Sequence, residues 1–340
     1  MSKGKNKIPE LDVVVSSRVR LARNSKSFPF PPKLDINQAI NVVDFYKPVI
    51  IKTESSISKQ LIFIDSTKIN PIEKACLVEK HLISPEFAAK REVTGLILSK
   101  DEKVSIMINE EDHLRIQAIL QGMQLNESWE LCNRVDDLIE AKSEYAYCDE
   151  LGYLTACPTN VGTGMRASIM VHLPALSMLG YINTVLDAVN KLGITVRGLY
   201  GEGSEVMGNM YQISNQVSLG QSEEEIITKI SIIANRVIEQ ERIAREQLLK
   251  SKIQLEDRLF RSYGIFSSAR IMTSNECMKL LSDVRLGVDL NILKGISIDK
   301  INQLMVITQP ANLQKVYGTT LNPDERDIKR AELIRSKLEV

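Results

Sequence analysis

The sequence predicts an α+β protein: a largely antiparallel sheet with helices packed on it, followed by an all-helical region. Strand-like segments recur in hairpin pairs, strict strand–helix alternation does not appear, and after about residue 220 helix-capping signals replace strand signals.

In chain order, the valine-rich Leu11 to Leu21 reads as a strand, and Leu61 to Asp65 as a second. Thr94 to Ser99 and Val104 to Ile108 flank the polar turn Lys100-Asp101-Glu102-Lys103, a hairpin pattern. Tyr145 to Cys148 and Tyr153 to Ala156 flank Asp149-Glu150-Leu151-Gly152 and predict another. Ala167 to Leu173, Ile194 to Leu199 and Tyr211 to Val217 add three strands. Ser222 with Glu225 forms a capping box, behind which Ile226, Ile230, Ile233 and Val237 share one helical face. Thr273 with Glu276 opens a helix through Met278, Leu281 and Leu286. Asn322-Pro323-Asp324-Glu325 combines an N-cap, a proline at the first helical position and acidic residues in the first turn. The resulting division is a tail at 1–11, a sheet domain at 12–245 and a helical domain at 246–340.

Lys+Arg and Asp+Glu balance at 43 each, which argues against a general nucleic-acid binder. No apolar run approaches the ~18 residues of a membrane span. No apolar segment follows the basic N-terminal residues, so they do not read as a secretory signal. The five cysteines are odd in number and form no C-x-x-C pair, so neither a zinc site nor a disulfide framework is indicated. A cytoplasmic chain with reduced thiols is expected.

The common phosphate-binding loops are missing. There is no G-x-x-x-x-G-K-[ST], Gly162-Thr163-Gly164 and Gly201-Glu202-Gly203 lack a suitable third glycine, and no H-R-D or D-F-G occurs. Arginines offer another way to hold phosphates, because a guanidinium presents several coplanar donors that match phosphate oxygens. Arg18 and Arg20 lie two apart on the first strand and so share one side of it. Arg115 lies one helical turn beyond Glu111, Arg166 follows the glycine loop, and Arg197 precedes Gly198. Any one of these is ordinarily a solvated surface arginine, and the pattern gains weight only as a set. Glu111 and Glu202 sit at the ends of predicted strands beside these arginines. Cys157 precedes Pro158 in the loop leading to Arg166, where a buried inert thiol is the default reading.

Cys157-Pro158-Thr159-Asn160-Val161-Gly162-Thr163-Gly164-Met165-Arg166-Ala167-Ser168 closely resembles the signature of the ATP:guanido phosphotransferases, the phosphagen kinases. Ser16-Ser17-Arg18-Val19-Arg20, Asn109 to Arg115, and Arg197 to Glu202 agree with the family in order and type. The resemblance implies a glutamine-synthetase-like catalytic domain with an eight-stranded, largely antiparallel sheet. It implies Mg²⁺-ATP held by Arg18, Arg20, Arg115, Arg166 and Arg197, with Ser16, Ser17 and Val19 completing the first nucleotide segment. Ala167, Ser168, Ile169 and Met170 would line the nucleotide beside Arg166, and Gly198, Leu199, Tyr200, Gly201 and Glu202 beside Arg197. His81 matches a nucleotide-site histidine, although alone it reads as a surface or capping residue. Glu111 and Glu202 carry over as the carboxylates that hold the acceptor guanidinium, with Glu111 the base, and Cys157 as the reactive cysteine. The chemistry suits such carboxylates. A guanidinium has a pKa near ~13.8, so deprotonating it at pH 7 costs roughly 9 kcal/mol, and a base must take the proton as attack proceeds.

Two features liken the chain to the branch that phosphorylates arginine side chains in proteins, rather than to small-molecule phosphagen kinases. Arg18 lies near the start of the sequence, where small-molecule members carry a helical domain ahead of the catalytic one. Arg326-Asp327-Ile328-Lys329-Arg330-Ala331 also matches an RDxxRA motif that forms an allosteric phosphoarginine pocket in that branch. Helix geometry puts Arg326 and Arg330 on one face, where they could clamp a phosphoryl group while Asp327 pairs with a guanidinium. A salt-bridged solvent face is the plain alternative. The resemblance further implies a homodimer acting in bacterial stress response and protein quality control. It also implies a small metal-binding activator, a heat-shock repressor among the protein substrates, and a Clp protease downstream.

Overall fold

The computed structural model describes residues 8–53, 55–90, 92–198 and 207–338. In chain order these form β1 (Val14–Arg23), α1 (Ile36–Ile51), β2 (Leu61–Asp65), α2 (Pro71–Glu79), α3 (Pro85–Ala89), β3 (Gly95–Ser99), β4 (Val104–Ile108), β5 (Leu114–Gln121) and α4 (Leu125–Glu140). A short ribbon, β6 (Tyr147–Cys148) and β7 (Gly152–Tyr153), precedes β8 (Met165–His172), α5 (Pro174–Met178), α6 (Ile182–Lys191), β9 (Ile194–Arg197) and β10 (Met210–Asn215). Helices complete the described chain: α7 (Glu223–Leu249), α8 (Lys252–Ser268), α9 (Ser274–Asp289), α10 (Ile298–Ile307), α11 (Pro310–Tyr317) and α12 (Pro323–Leu338).

Eight strands make one sheet in the order β2-β3-β4-β5-β1-β8-β10-β9, with every neighbouring pair antiparallel. The alternating side chains divide it into two faces. Val19, Leu21, Ile106, Ile116, Ala167, Ile169 and Ile213 point into a large apolar core roofed by α1, α4 and α7. The opposite face is covered in two patches. Leu96, Leu98 and Met107 pack under Leu82, Ile83 and Phe87 from α2, α3 and their connection. Met170 and Met210 pack under Phe266, Met278 and Leu281 of α8 and α9. Between the patches, β1, β5, β8 and β10 present polar side chains to an open cleft.

Four expectations shift. The first strand begins at Val14, because a turn centred on Glu10, with φ +52, precedes it. Residues 8–11 are built in rather than a loose tail: Pro9 O accepts Met123 N–H at 2.9 Å, and Glu10 pairs with Arg242. Arg115 is not on a helical turn beyond Glu111. It lies on β5, a strand missed because Glu110, Glu111 and Asp112 obscure the alternation that starts at Leu114. The second hairpin forms, but as a ribbon outside the main sheet. The caps at Ser222, Thr273 and Asn322 all form, each side chain accepting the backbone N–H three residues on.

Candidate functional site

The cleft encloses about 970 Å³ and is lined by Arg18, Arg20, His81, Arg115, Arg166, Arg197, Glu111 and Cys157 together. Strand register explains the arginines. Arg20 pairs directly with Arg166 across β1 and β8, and Arg18 pairs with Ser168. The two-residue period puts Ser16, Arg18 and Arg20 on the cleft face and Ser17 and Val19 on the core face.

Burial of like charges sets the electrostatics. Arg18 is pushed down to about 10, first by desolvation and then by Arg115 and Arg166. Arg20 is driven well below its ordinary range by burial and by Arg18, Arg115 and Arg166, with Glu110 only partly offsetting them. Arg18 donates to Gln212 Oε1 at 2.9 Å, but Arg20 Nε finds no partner among the described residues. Buried cations held this close, one with an orphaned donor, fit a polyanion such as a nucleotide triphosphate. His81 is pushed down to about 3 by burial and then by Arg18 and Arg20, so it presents a neutral ring to the cleft.

A braced turn carries the acid. Asn109, at φ +61, starts the β4–β5 turn, and its N–H donates to His113 O at 3.0 Å. Its Nδ2 donates to Ala39 O and Val93 O. Lys90 Nζ donates to the carbonyls of Asn109 and Glu110 at 3.0 and 2.6 Å. Glu110 is buried and accepts from Arg115 at 2.7 Å and from Ser84 at 2.6 Å. Burial would raise its carboxyl, but Arg115 and those hydrogen bonds hold it below the usual range. Asp112 accepts from Asn24 and from the backbone N–H of Ala156, tying the turn to β1 and to the Cys157 loop. Glu111, by contrast, is exposed to the cleft.

Cys157 is half-buried, with Sγ 3.1 Å from Thr159 Oγ1. Gly164, at φ +63, lets the loop pass beside β1; a Cβ there would lie 2.6 Å from Ala22 O. Gly162, at φ +112, approaches Ser218 O more closely still.

Several expected positions lie elsewhere. The side chains of Ser17, Val19, Ala167 and Ile169 are buried on the core face, so they do not line the cleft; Ser17 Oγ donates to Gly122 O instead. Met170 packs against the C-terminal helices. Gly198 follows β9 and is buried, whereas Leu199, Tyr200, Gly201 and Glu202 lie outside the described residues. The phosphoryl clamp expected of Arg326 and Arg330 is not built as such. Arg330 is 1% exposed and donates to Thr308 O, Met272 O and Asp327, so Asp327 pairs with a guanidinium of the same helix. Arg326 is half-buried at the start of α12, Ile328 is exposed, Lys329 pairs with Glu332, and Ala331 is buried. The sequence reading missed Glu110, Lys90, Gln117 and Gln212. Gln117 lies two residues beyond Arg115, and the face it shares with Arg115 would have shown it had β5 been read as a strand.

Residues 42–244 match the family described as "ATP:guanido phosphotransferase, C-terminal catalytic domain", and residues 252–340 match "Protein-arginine kinase McsB C-terminal domain". The chain is 51% identical over 328 residues to a protein-arginine kinase of Caldanaerobacter subterraneus subsp. tengcongensis, covering 96% of this chain and 97% of that one. It is 50% identical over 335 residues to the protein-arginine kinase of Bacillus subtilis, covering 98% and 92%. Among solved structures, lombricine kinase superposes with a TM-score of 0.61 at 24% identity, covering 74% of this chain and 71% of that one. The duplicated taurocyamine kinase of Schistosoma mansoni superposes at 0.59 and 26% identity, covering 71% and 35%. Among the described residues, no helix is long and apolar enough to cross a membrane.

Proposed function

Because the chain belongs to the ATP:guanido phosphotransferase family, and within it to the protein-arginine kinases, we propose that the arginine-floored cleft holds ATP and presents its γ-phosphoryl group to an arginine side chain of a protein. One observation carries this assignment of residues. Arg18, Arg20, Arg115 and Arg166 are crowded on one sheet face, with a donor of Arg20 orphaned, and the exposed Glu111 lines the same cleft.

In this reading Arg18, Arg20, Arg115, Arg166 and Arg197 hold the triphosphate, and neutral His81 lines its site. Glu110 is not a base: its salt bridge fixes Arg115. Glu111, with Glu202, aligns the acceptor guanidinium. As a guanidinium nitrogen forms its bond to the γ-phosphorus, the bond from phosphorus to the leaving oxygen of ADP breaks and the guanidinium proton passes to Glu111. Cys157, which lines the same cleft, would assist electrostatically. Mg²⁺ arriving with ATP would neutralise phosphate charge beside the arginines that hold the triphosphate.

Finer elements of the reading concern regulation. The Arg326–Ala331 segment is proposed to bind phosphoarginine, with Arg326 as the phosphate contact and the Arg330–Asp327 pair as its scaffold. The sheet region to residue 245 is proposed as the catalytic domain and the remainder as the regulatory one. A homodimer, a cytoplasmic role in stress response, a metal-binding activator, a heat-shock repressor as substrate and a Clp protease downstream complete the proposal.

The test is direct. Incubation with Mg²⁺-ATP and an arginine-rich protein should leave acid-labile phosphate on arginine, and Glu111→Gln should reduce kcat by ~10²-fold or more without lowering the melting temperature. Near-normal turnover in the variant would remove Glu111 from the reaction. Faster phosphorylation of free arginine than of protein would move the acceptor to the free amino acid.

A further inference from the structure

His81 occupies an unusual backbone position. α2 ends in a Schellman-type turn: His81 N–H donates to Val78 O at 2.8 Å, and Leu82 N–H to Leu77 O at 2.9 Å. That turn puts His81 at φ +59, a left-handed conformation that a non-glycine residue adopts only when its surroundings fix it. From the sheet, Gln117 Nε2 holds His81 O at 2.8 Å. Where the ring points is therefore decided by where α2 ends.

Two residues before His81, Glu79 reaches away from the cleft. Its carboxylate accepts the backbone N–H of Ala311 at 2.7 Å and of Asn312 at 2.8 Å, together with Asn312 Nδ2 at 2.7 Å. These are orphan donors at the first turn of α11, and Gln309 before that helix supplies no side-chain cap. A carboxylate from α2, more than two hundred residues away in sequence, therefore caps a C-terminal helix. α2 and α11 also pack against each other, and a groove of about 810 Å³ lined by Glu79, Val78, Met207, Gln309 and Pro310 opens beside the joint. On the far side, Arg330 donates to Thr308 O at 2.8 Å, just before α11, and Tyr317 at the end of α11 donates to Lys329 O. One short chain of contacts thus runs from α12 through α11 to the end of α2.

We propose that Glu79 is a positioning residue through which the C-terminal helices fix His81 in the nucleotide end of the cleft. The proposal rests on the reading that His81 lines the ATP site. Without the Glu79 carboxylate, the last turn of α2 loses its three hydrogen bonds to the start of α11, keeping only the packing and the Asn312 Nδ2 bond to Cys76 O one turn earlier; the left-handed turn relaxes, and the His81 ring leaves its place beside Arg18 and Arg20. Glu79 touches no reacting group, so its loss weakens ATP binding and spares the chemical step.

Initial rates on an arginine-rich protein substrate, measured across ATP concentrations, test this for the wild type, E79A, E79Q, H81A and E79A/H81A. Expected are a rise of about fivefold or more in KM for ATP in E79A with kcat within about twofold, a smaller rise in E79Q, and a double variant no worse than H81A. E79Q keeps one acceptor oxygen, so it carries the comparison if E79A does not fold. A purely structural role would lower the melting temperature and leave KM unchanged. A wild-type KM in the Glu79 variants beside a raised KM in H81A overturns the coupling and leaves the ATP reading intact. Effects that multiply in the double variant also overturn the coupling. A wild-type KM in H81A overturns His81's place in the nucleotide site, and the proposal with it.

Discussion

His113 sits inside the turn that carries Glu111, and its hydrogen bonds fix its charge. Nδ1 accepts the backbone N–H of Ser25 at 3.1 Å, while Nε2 lies 2.9 Å from Pro29 O and must donate to it. A second ring proton would turn Nδ1 into a donor facing a donor. Burial accordingly pushes His113 down to about 4, against a backbone hydrogen bond that favours the proton. With the folded pKa depressed below the ordinary value of about 6.5, the contribution to stability is present above pH 6.5 and is lost as pH falls through about 4. Between pH 7 and pH 5 the loss amounts to ~2 kcal/mol. Urea unfolding at the two pH values should therefore show a fall about 2 kcal/mol smaller in His113→Asn than in the wild type. Asp112, raised by burial to about 6, works in the opposite direction but is present in both proteins. An equal fall in the two proteins would mean that His113 is not the acid-sensitive group. In the sequence, a histidine between an acidic run and a strand gives no sign of which backbone groups its nitrogens will meet.

α12 shows how helical periodicity can be right about a face and wrong about its use. Arg326 and Arg330 do lie one turn apart, but the face turns inward, so Arg330 spends its donors on Thr308 O, Met272 O and Asp327. The capping signal at Asn322 fixes where the helix starts; it says nothing about which neighbour will present bare carbonyls. Removing Arg330 leaves two buried carbonyls and a carboxylate unpaired, which costs roughly 3 kcal/mol. Thermal unfolding should therefore place Arg330→Met well below the wild type and Arg326→Ala close to it, with only the latter reporting cleanly on phosphoarginine binding. Comparable melting of the two variants would return Arg330 to the surface and restore the two-arginine clamp. β5 failed for a related reason. Its alternation begins at Leu114, immediately after Glu110-Glu111-Asp112, and the charges mask a tight turn that Asn109 makes possible with φ +61. Arg18 and Arg20 were legible because a two-residue spacing on a strand needs no tertiary knowledge; Ser17 and Val19, one residue off, were misplaced by reading a motif as a continuous segment.

The molecule as a whole is joined across the sheet rather than strung as two beads. Met170 and Met210 leave the cleft face only to disappear beneath α8 and α9. His172, at the end of β8, is fully buried with Nε2 2.8 Å from Ser282 Oγ on α9, and Asn209, at the start of β10, donates to the same oxygen at 2.8 Å. Arg285 of α9 reaches Leu11 O at 2.8 Å, just ahead of the strand that carries Arg18 and Arg20. The capping boxes and the end of strand signals located the helical region in the sequence, but its hydrogen bonds to β8, to Asn209 before β10 and to Leu11 span separations of 110, 73 and 274 residues and left no local trace. Ending the chain at Lys250 would strip the cover from both methionines and leave His172 Nε2 without its serine. Uncovering two buried methionine side chains costs ~3–6 kcal/mol, which for a sheet domain of this size lowers the melting temperature by roughly 10 °C or more. Thermal unfolding of residues 1–250 beside the full chain measures it, and ATP titration of the same fragment should show weaker binding because β1 and β8 carry the phosphate-binding arginines. A fragment that melts within about 3 °C of the full chain and binds ATP equally well would instead make the sheet domain self-sufficient and reduce the C-terminal helices to an appended module.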